Sequence, residues 1–149
     1  MKQELRERIE TELEVKAYLQ NLRYALDSGA RIDFQENRYV DELRDERYTN
    51  QYTLKTLFPF EKWSDVLKRE LRTLTVENYI RTVRDLRFPS RTEMREFGKK
   101  YDGTEDVYIK IRVELLGEYG IPTTFVMSFH FAQKKFRNET FPYKKGENL

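Results

Sequence analysis

An α+β fold, with N-terminal helices packed on one face of a four-stranded antiparallel sheet, is what the sequence predicts. Apolar residues recur at helical spacing in the first half of the chain and at period two in the second. The period-two runs are joined by "FPSR", "YDGTED" and "GEYGIP", connections rich in turn residues and too short to carry crossover helices. Helices first and a meander afterwards is the α+β order.

Each element follows from its pattern. Leu5, Ile9, Leu13, Tyr18, Leu22 and Leu26 predict a helix over 3–28, supported by the pair Glu4–Arg8 and ended by "DSGAR", with Gly29 as its cap. "RIDFQENRYV" reads as extended, and "DELRDERYTNQ" as a short helix or a polar surface loop. Phe60, Trp63, Val66, Leu67 and Leu71 share one face of a second helix, 59–71, and Thr75 caps one further turn. Strands are expected at 79–88, 93–101, 106–116 and 123–133. In the tail, Phe141 and Tyr143 are expected to fold back onto the domain.

The chain is read as a single domain, 1–149, with a helical N-terminal extension (1–58), a helix-plus-sheet core (59–133) and a tail (134–149). This length buries a core without metal or disulfides. Cysteine is absent, which removes disulfides, thiolate catalysis and zinc–thiolate sites and suits a reducing compartment. No apolar run matches a secretory signal or a membrane span, so a cytoplasmic location is expected. Phosphate-binding glycine loops and the GxSxG elbow are missing, and there is one histidine, so neither metal nor cofactor is expected. Charge is uneven: residues 1–50 carry 9 Lys/Arg against 12 Asp/Glu, whereas residues 81–149 carry 14 against 10. The strand half therefore permits a polyanion or an acidic partner.

The run "EDVYIKIRVEL" sets Val107, Ile109, Ile111 and Val113 toward a core and Tyr108, Lys110 and Arg112 away from it. On the last strand Val126, Ser128, His130 and Ala132 would share one face, and Phe125, Met127, Phe129 and Phe131 the other. Pairing of these strands gathers Tyr108, Lys110, Ser128 and His130 on the open face, with Arg81, Arg84, Arg87 and Arg95 as surrounding cations. Such a set suits metal-free RNA cleavage. His130 or Glu96 would take the 2′-hydroxyl proton, Tyr108 or protonated His130 would protonate the leaving oxygen, and Lys110 with Arg81 and Arg95 would neutralise the phosphorane. Each residue also has an ordinary reading: a lone strand histidine as a hydrogen-bonded structural residue, Lys110 as a solubilising one, and Tyr108 as the cap of a core edge. Period two leaves open whether Arg95 or Glu96 faces this side.

The succession "LTVENYIRTVRD", "EMREFGKKYDGTEDVYIKIRVEL" and "FVMSFHFA" resembles the MqsR-like toxins of bacterial toxin–antitoxin pairs, messenger-RNA interferases with a RelE-like fold. The likeness spans residues 60–133. It implies that the family's catalytic tyrosine falls at Tyr108, its lysine at Arg81, its glutamine near Arg95, and the residue after "Ser-Phe" at His130. Arginine cannot act as a base at neutral pH, so Arg81 and Arg95 would only contact phosphate. The first 50 or so residues have no counterpart in the compact toxins.

The leading expectation is a metal-independent endoribonuclease centred on Tyr108, Lys110 and His130, with Arg81 and Arg95 binding phosphate. RNA is the expected partner, with an acidic cognate antitoxin and a homodimer as further ones; DNA and membranes are not expected. The competing expectation is a non-catalytic interaction module, or a degenerate relative of the toxin fold, that uses the same sheet face to bind a partner.

Overall fold

The computed structural model describes residues 4–28, 31–36, 45–103, 105–116 and 120–145. Among these, three α-helices accompany a six-stranded mixed sheet, so the class is α+β, with two more strands than the meander predicts. Gly29, residues 37–44 of the two polar stretches, residues 117–119 of "GEYGIP" and the last four residues of the tail lie outside the described residues.

The helix expected over 3–28 is two elements. β1 (Leu5–Arg8) pairs antiparallel with β3 (Tyr79–Asp85), and α1 (Glu12–Asp27) begins only afterwards. The break falls at Thr11. Its hydroxyl accepts the Glu14 N–H at 3.1 Å, and Glu14 Oε1 accepts the Thr11 N–H at 2.9 Å, a reciprocal capping box. Leu5, Ile9 and Leu13 keep helical spacing but are exposed, so no burial draws residues 5–11 into the helix. From Val15 onward the stripe is real, and α1 buries Val15, Leu19, Leu22, Ala25 and Leu26.

After α1, β2 (Arg31–Phe34) runs parallel to β6 (Thr123–Phe131). Then come α2 (Asn50–Leu57), capped by Thr49, and α3 (Trp63–Leu71), shorter than the predicted 59–71 because Phe60 is fully exposed. A 3₁₀ turn, Val76–Asn78, leads into β3, followed by β4 (Met94–Tyr101), β5 (Glu105–Glu114) and β6. The sheet order is β1-β3-β4-β5-β6-β2. The predicted meander forms its centre, and β1 and β2 flank it. All three helices contribute to one buried cluster with the sheet, including Leu22, Leu54, Leu67 and Leu71 together with Phe97, Ile109, Ile111 and Phe129. Each such side chain stabilises the fold by about 1.5–3 kcal/mol on burial.

Two bulges decide which residues face away from the helices. Tyr79 pairs with Phe97 but Arg81 pairs with Glu96, so Ile80 is an extra residue. In β6, Ser128 pairs with Lys110 and Val126 with Ile111, so Met127 is extra. The second bulge corrects the predicted face assignment: Val126 and Thr124 join Phe129 and Phe131 under the helices, and Phe125 turns outward beside Arg112. Asn50 holds the bulge from outside the sheet. Its amide donates to the Met127 carbonyl at 3.0 Å and the Gln35 carbonyl at 2.8 Å, while its Oδ1 accepts the Phe129 N–H at 2.9 Å. Thr53 Oγ1 accepts the Phe131 N–H at 2.9 Å. Two side chains of α2 thus continue the edge of β6 where β2 stops, which shields an otherwise open strand edge. Asn50→Ala leaves the Phe129 N–H and Met127 C=O without this partner and should cost about 1–3 kcal/mol. Urea unfolding checks this, and an unchanged midpoint contradicts it.

The tail folds back as expected, with Phe141 and Tyr143 both partly buried. Tyr143 stacks on Tyr79 and donates its hydroxyl to the Glu10 carbonyl at 2.5 Å. Phe136 and Phe141 lie against Gly98, where an added Cβ would fall 2.6 Å from Phe136 Cε2, so this strand position takes glycine. No helix among the described residues is long and apolar enough to cross a membrane.

Candidate active site

The face of the sheet turned away from the helices carries two cross-strand rows. Arg81 of β3, Glu96 of β4, Lys110 of β5 and Ser128 of β6 are successive register partners, and beside them run Gly98, Tyr108 and His130. Directly opposed residues stand about 4.5–5.5 Å apart at Cβ, so the rows bring acid, base and cation within reach of one small group. Four of the five site residues expected from the sequence, Tyr108, His130, Lys110 and Arg81, share this face.

Tyr108 and His130 are opposed across β5 and β6, with ring centroids 5.4 Å apart and planes 40° to one another. His130 is only 8% exposed. Its Nδ1 lies 2.9 Å from the Phe131 carbonyl oxygen. A carbonyl only accepts, so Nδ1 carries the hydrogen and Nε2 is the nitrogen that takes up or releases a proton. The imidazole is thereby oriented by the backbone of its own strand.

Arg81 binds Glu96 through Nε at 2.6 Å and reaches Glu7 of β1 through Nη1 at 3.0 Å. Burial works to lower the affinity of this guanidinium for its proton. The Glu96 hydrogen bond and charge, helped by Glu7 and the Tyr108 phenol, raise it overall. Arg81 is therefore a fixed cation. Glu96 is 3% exposed and lies on the Lys110 side of β4, which answers the ambiguity between positions 95 and 96.

Arg95 is on the other face. Its register partners are Thr82 and Ile111, and its guanidinium is clasped by Glu10, Nε at 2.7 Å and Nη2 at 3.2 Å, above the Tyr18 ring at 4.2 Å. With the sheet between it and Tyr108, it is not brought to this group. Strand alternation is the reason: of two adjacent residues only one can join Lys110. Arg84 likewise sits opposite Arg6 of β1, and Arg87 pairs with Asp85 beyond the strand end. Arg112 lies on the Lys110 face but is buried, stacked over Phe125 at 3.9 Å and bonded to Glu114.

Asp106 is a further member of this face, in phase with Tyr108 and Lys110 but part of no motif in the sequence. It is buried, binds Lys100 Nζ at 2.9 Å and accepts the Phe136 N–H at 2.9 Å, which ties the tail to β5. Burial pushes its carboxyl up, but the Lys100 hydrogen bond, the Phe136 N–H and the charges of Lys100 and Lys135 hold it below its ordinary value of 3.8. A carboxylate with a lowered folded-state value stabilises the fold above its unfolded value and loses that contribution as pH falls through the folded one. Asp106→Asn should therefore destabilise by about 1.5–3 kcal/mol near neutrality. The gap should close as pH falls below 3.8. Urea unfolding of both proteins at several pH values checks this; a gap independent of pH contradicts it. Gly98 was the sequence's other unused signal, an isolated glycine inside a strand pattern that marks a close approach.

Among the described residues no group of three or more His, Cys, Asp or Glu side chains is placed to hold a metal ion. The chain matches no family model, and no similar curated protein or solved structure is found.

Proposed function

We propose that this protein is an endoribonuclease that cleaves RNA by attack of a 2′-hydroxyl on the adjacent phosphate, with side chains alone as catalysts. The observation that carries the reading is the Tyr108–His130 pair, with His130 Nδ1 tied to the Phe131 carbonyl and Lys110 and Arg81 on the same face. His130 Nε2 takes the 2′-hydroxyl proton, and the 2′-oxygen bonds to phosphorus as the bond to the 5′-oxygen breaks. The Tyr108 hydroxyl gives its proton to that 5′-oxygen, and solvent later restores both groups. Lys110 and Arg81 offset the charge gathered on the phosphorane oxygens. The products are a 2′,3′-cyclic phosphate and a 5′-hydroxyl. Glu96 accepts from Arg81 Nε at 2.6 Å and orients it; it is a positioning residue.

The resemblance of "DVYIKI" and "SFH" to MqsR-like toxins supports this reading, and with it a RelE-like variety of the α+β fold and an acidic cognate antitoxin. The competing reading is a binding surface without chemistry. On that reading Glu96, Ser128 and His130, all deeply buried, serve the sheet itself, and only the exposed residues around them meet a partner. Purified protein should cut a single-stranded RNA in the presence of a chelator and leave the same sequence intact when its riboses are 2′-O-methylated. Cutting of the methylated strand refutes the mechanism, and no cutting of either favours the binding surface.

A further inference from the structure

We propose that the cleft between the tail and strands β4 and β5 is a subsite for single-stranded RNA extending from the Tyr108–His130 pair. The proposal rests on the reading of that pair as an RNA-cleaving site. The cleft has a volume of about 410 Å³ and is lined by Gly98, Lys100, Asp106, Phe136, Arg137, Phe141 and Lys144, among others. Two residues of its lining are strand neighbours of the pair. Gly98 is the register partner of Tyr108, and Asp106 is two residues from Tyr108 on the same face, about 7 Å along the strand.

Its chemistry is that of a nucleotide site. Residues 132–145 carry five Lys/Arg and one Glu, a net charge of +4 in a chain whose total is +2, so the rest of the protein is net −2. The positive charge is concentrated along this segment. The acids in the lining are already engaged: Asp106 by Lys100 and the Phe136 N–H, and Glu77 by the Lys145 N–H at 3.3 Å. Lys144 is exposed, and Arg137 is 78% exposed in a loose 3.6 Å pair with Glu139.

Phe136 and Phe141 meet edge to face at 5.4 Å and are each only partly buried, and Lys144 lies over the Phe141 ring at 5.6 Å. Partly exposed aromatic faces beside arginine and lysine are what unpaired bases and their phosphates bind. A cleft of this size takes about one or two nucleotides and excludes a duplex. An acidic protein segment would engage the cations but leave the rings unused.

The test is fluorescence anisotropy with a short labelled 2′-O-methyl oligonucleotide, which binds without being cut, on the full-length protein over a range of salt. Arg137→Ala with Lys144→Ala should weaken binding and lower the log–log salt slope by about 1.4, two phosphate contacts at about 0.7 each. Phe141→Ala should weaken binding about tenfold, within the range for loss of one base–aromatic stack. Thermal unfolding reports whether Phe141→Ala loosens the tail, and the exposed double variant keeps the test independent of folding. Unchanged affinity and slope in the double variant, or no binding by the wild type, overturns the proposal. Displacement of the oligonucleotide by polyglutamate at equal charge gives the cleft to an acidic protein and also overturns it. Binding that depends on the cleft in a protein that cuts no RNA keeps the subsite while removing the active-site reading; cutting with cleft-independent binding does the reverse.

Discussion

His130→Ala should slow RNA cleavage by about 10²–10⁴-fold, the usual worth of one general acid–base group. Tyr108→Phe, which removes only the phenolic hydroxyl, should fall in the same range. The two losses together should be smaller than their product, because both groups act on one transition state. The protein should stay folded in each case. The ring of His130 donates to the Phe131 carbonyl, and losing that hydrogen bond costs about 0.5–1.5 kcal/mol. Single-turnover cleavage with urea unfolding on the same preparations separates activity from stability. Equal cleavage by the wild type and both variants would return these residues to a structural role.

Glu10→Ala should lower the stability by about 3–5 kcal/mol, the cost of removing one member of a buried ion pair. Glu10 is almost fully buried beneath the helices, and both its carboxylate oxygens accept from Arg95. Thr82 also donates to it, and the Glu10 N–H donates to the Tyr79 hydroxyl at 3.0 Å. Burial works to lower the affinity of Arg95 for its proton, but the Glu10 hydrogen bond and charge raise it overall, so deletion of Glu10 leaves a charged guanidinium with only Glu93, 4.0 Å away, as a counter-ion. Tyr18 beside it is no substitute: burial holds its phenol well above the usual range, and it stays neutral. Arg95→Met should cost a similar amount, and Glu10→Leu with Arg95→Met should recover most of the loss, since well-packed apolar groups often replace a buried pair. A double-mutant cycle by urea unfolding measures this; additive losses would contradict it. The network has a further consequence for Arg95: its value is in holding β1, β3, β4 and α1 together.

The juxtaposition of Tyr108 with His130 and of Lys110 with Ser128 was legible in the sequence because two long period-two runs flank a short connection. One antiparallel register then places both pairs on one face. The Arg95–Glu96 choice was not legible, since both neighbours are charged and alternation alone does not say which faces the core. β1 was hidden by Leu5, Ile9 and Leu13, whose spacing of four imitates a helix stripe. The counter-signal was the Thr11–Glu14 capping box, which marks a start where a continuous helix has none. The Met127 bulge was illegible for a different reason. Its hydrogen-bond partner, Asn50, is 77 residues away in a segment whose composition reads as surface. Bulges set by such distant side chains shift strand phase without altering local pattern, which is how Val126 and Phe125 exchanged faces.

The most direct measurement is end-group analysis of the fragments released from a single-stranded RNA by the purified protein in the presence of a chelator. The expected ends are 2′,3′-cyclic phosphates on the upstream fragments and 5′-hydroxyls on the downstream ones. Intact RNA, or fragments bearing 3′-hydroxyl and 5′-phosphate ends, would contradict the mechanism.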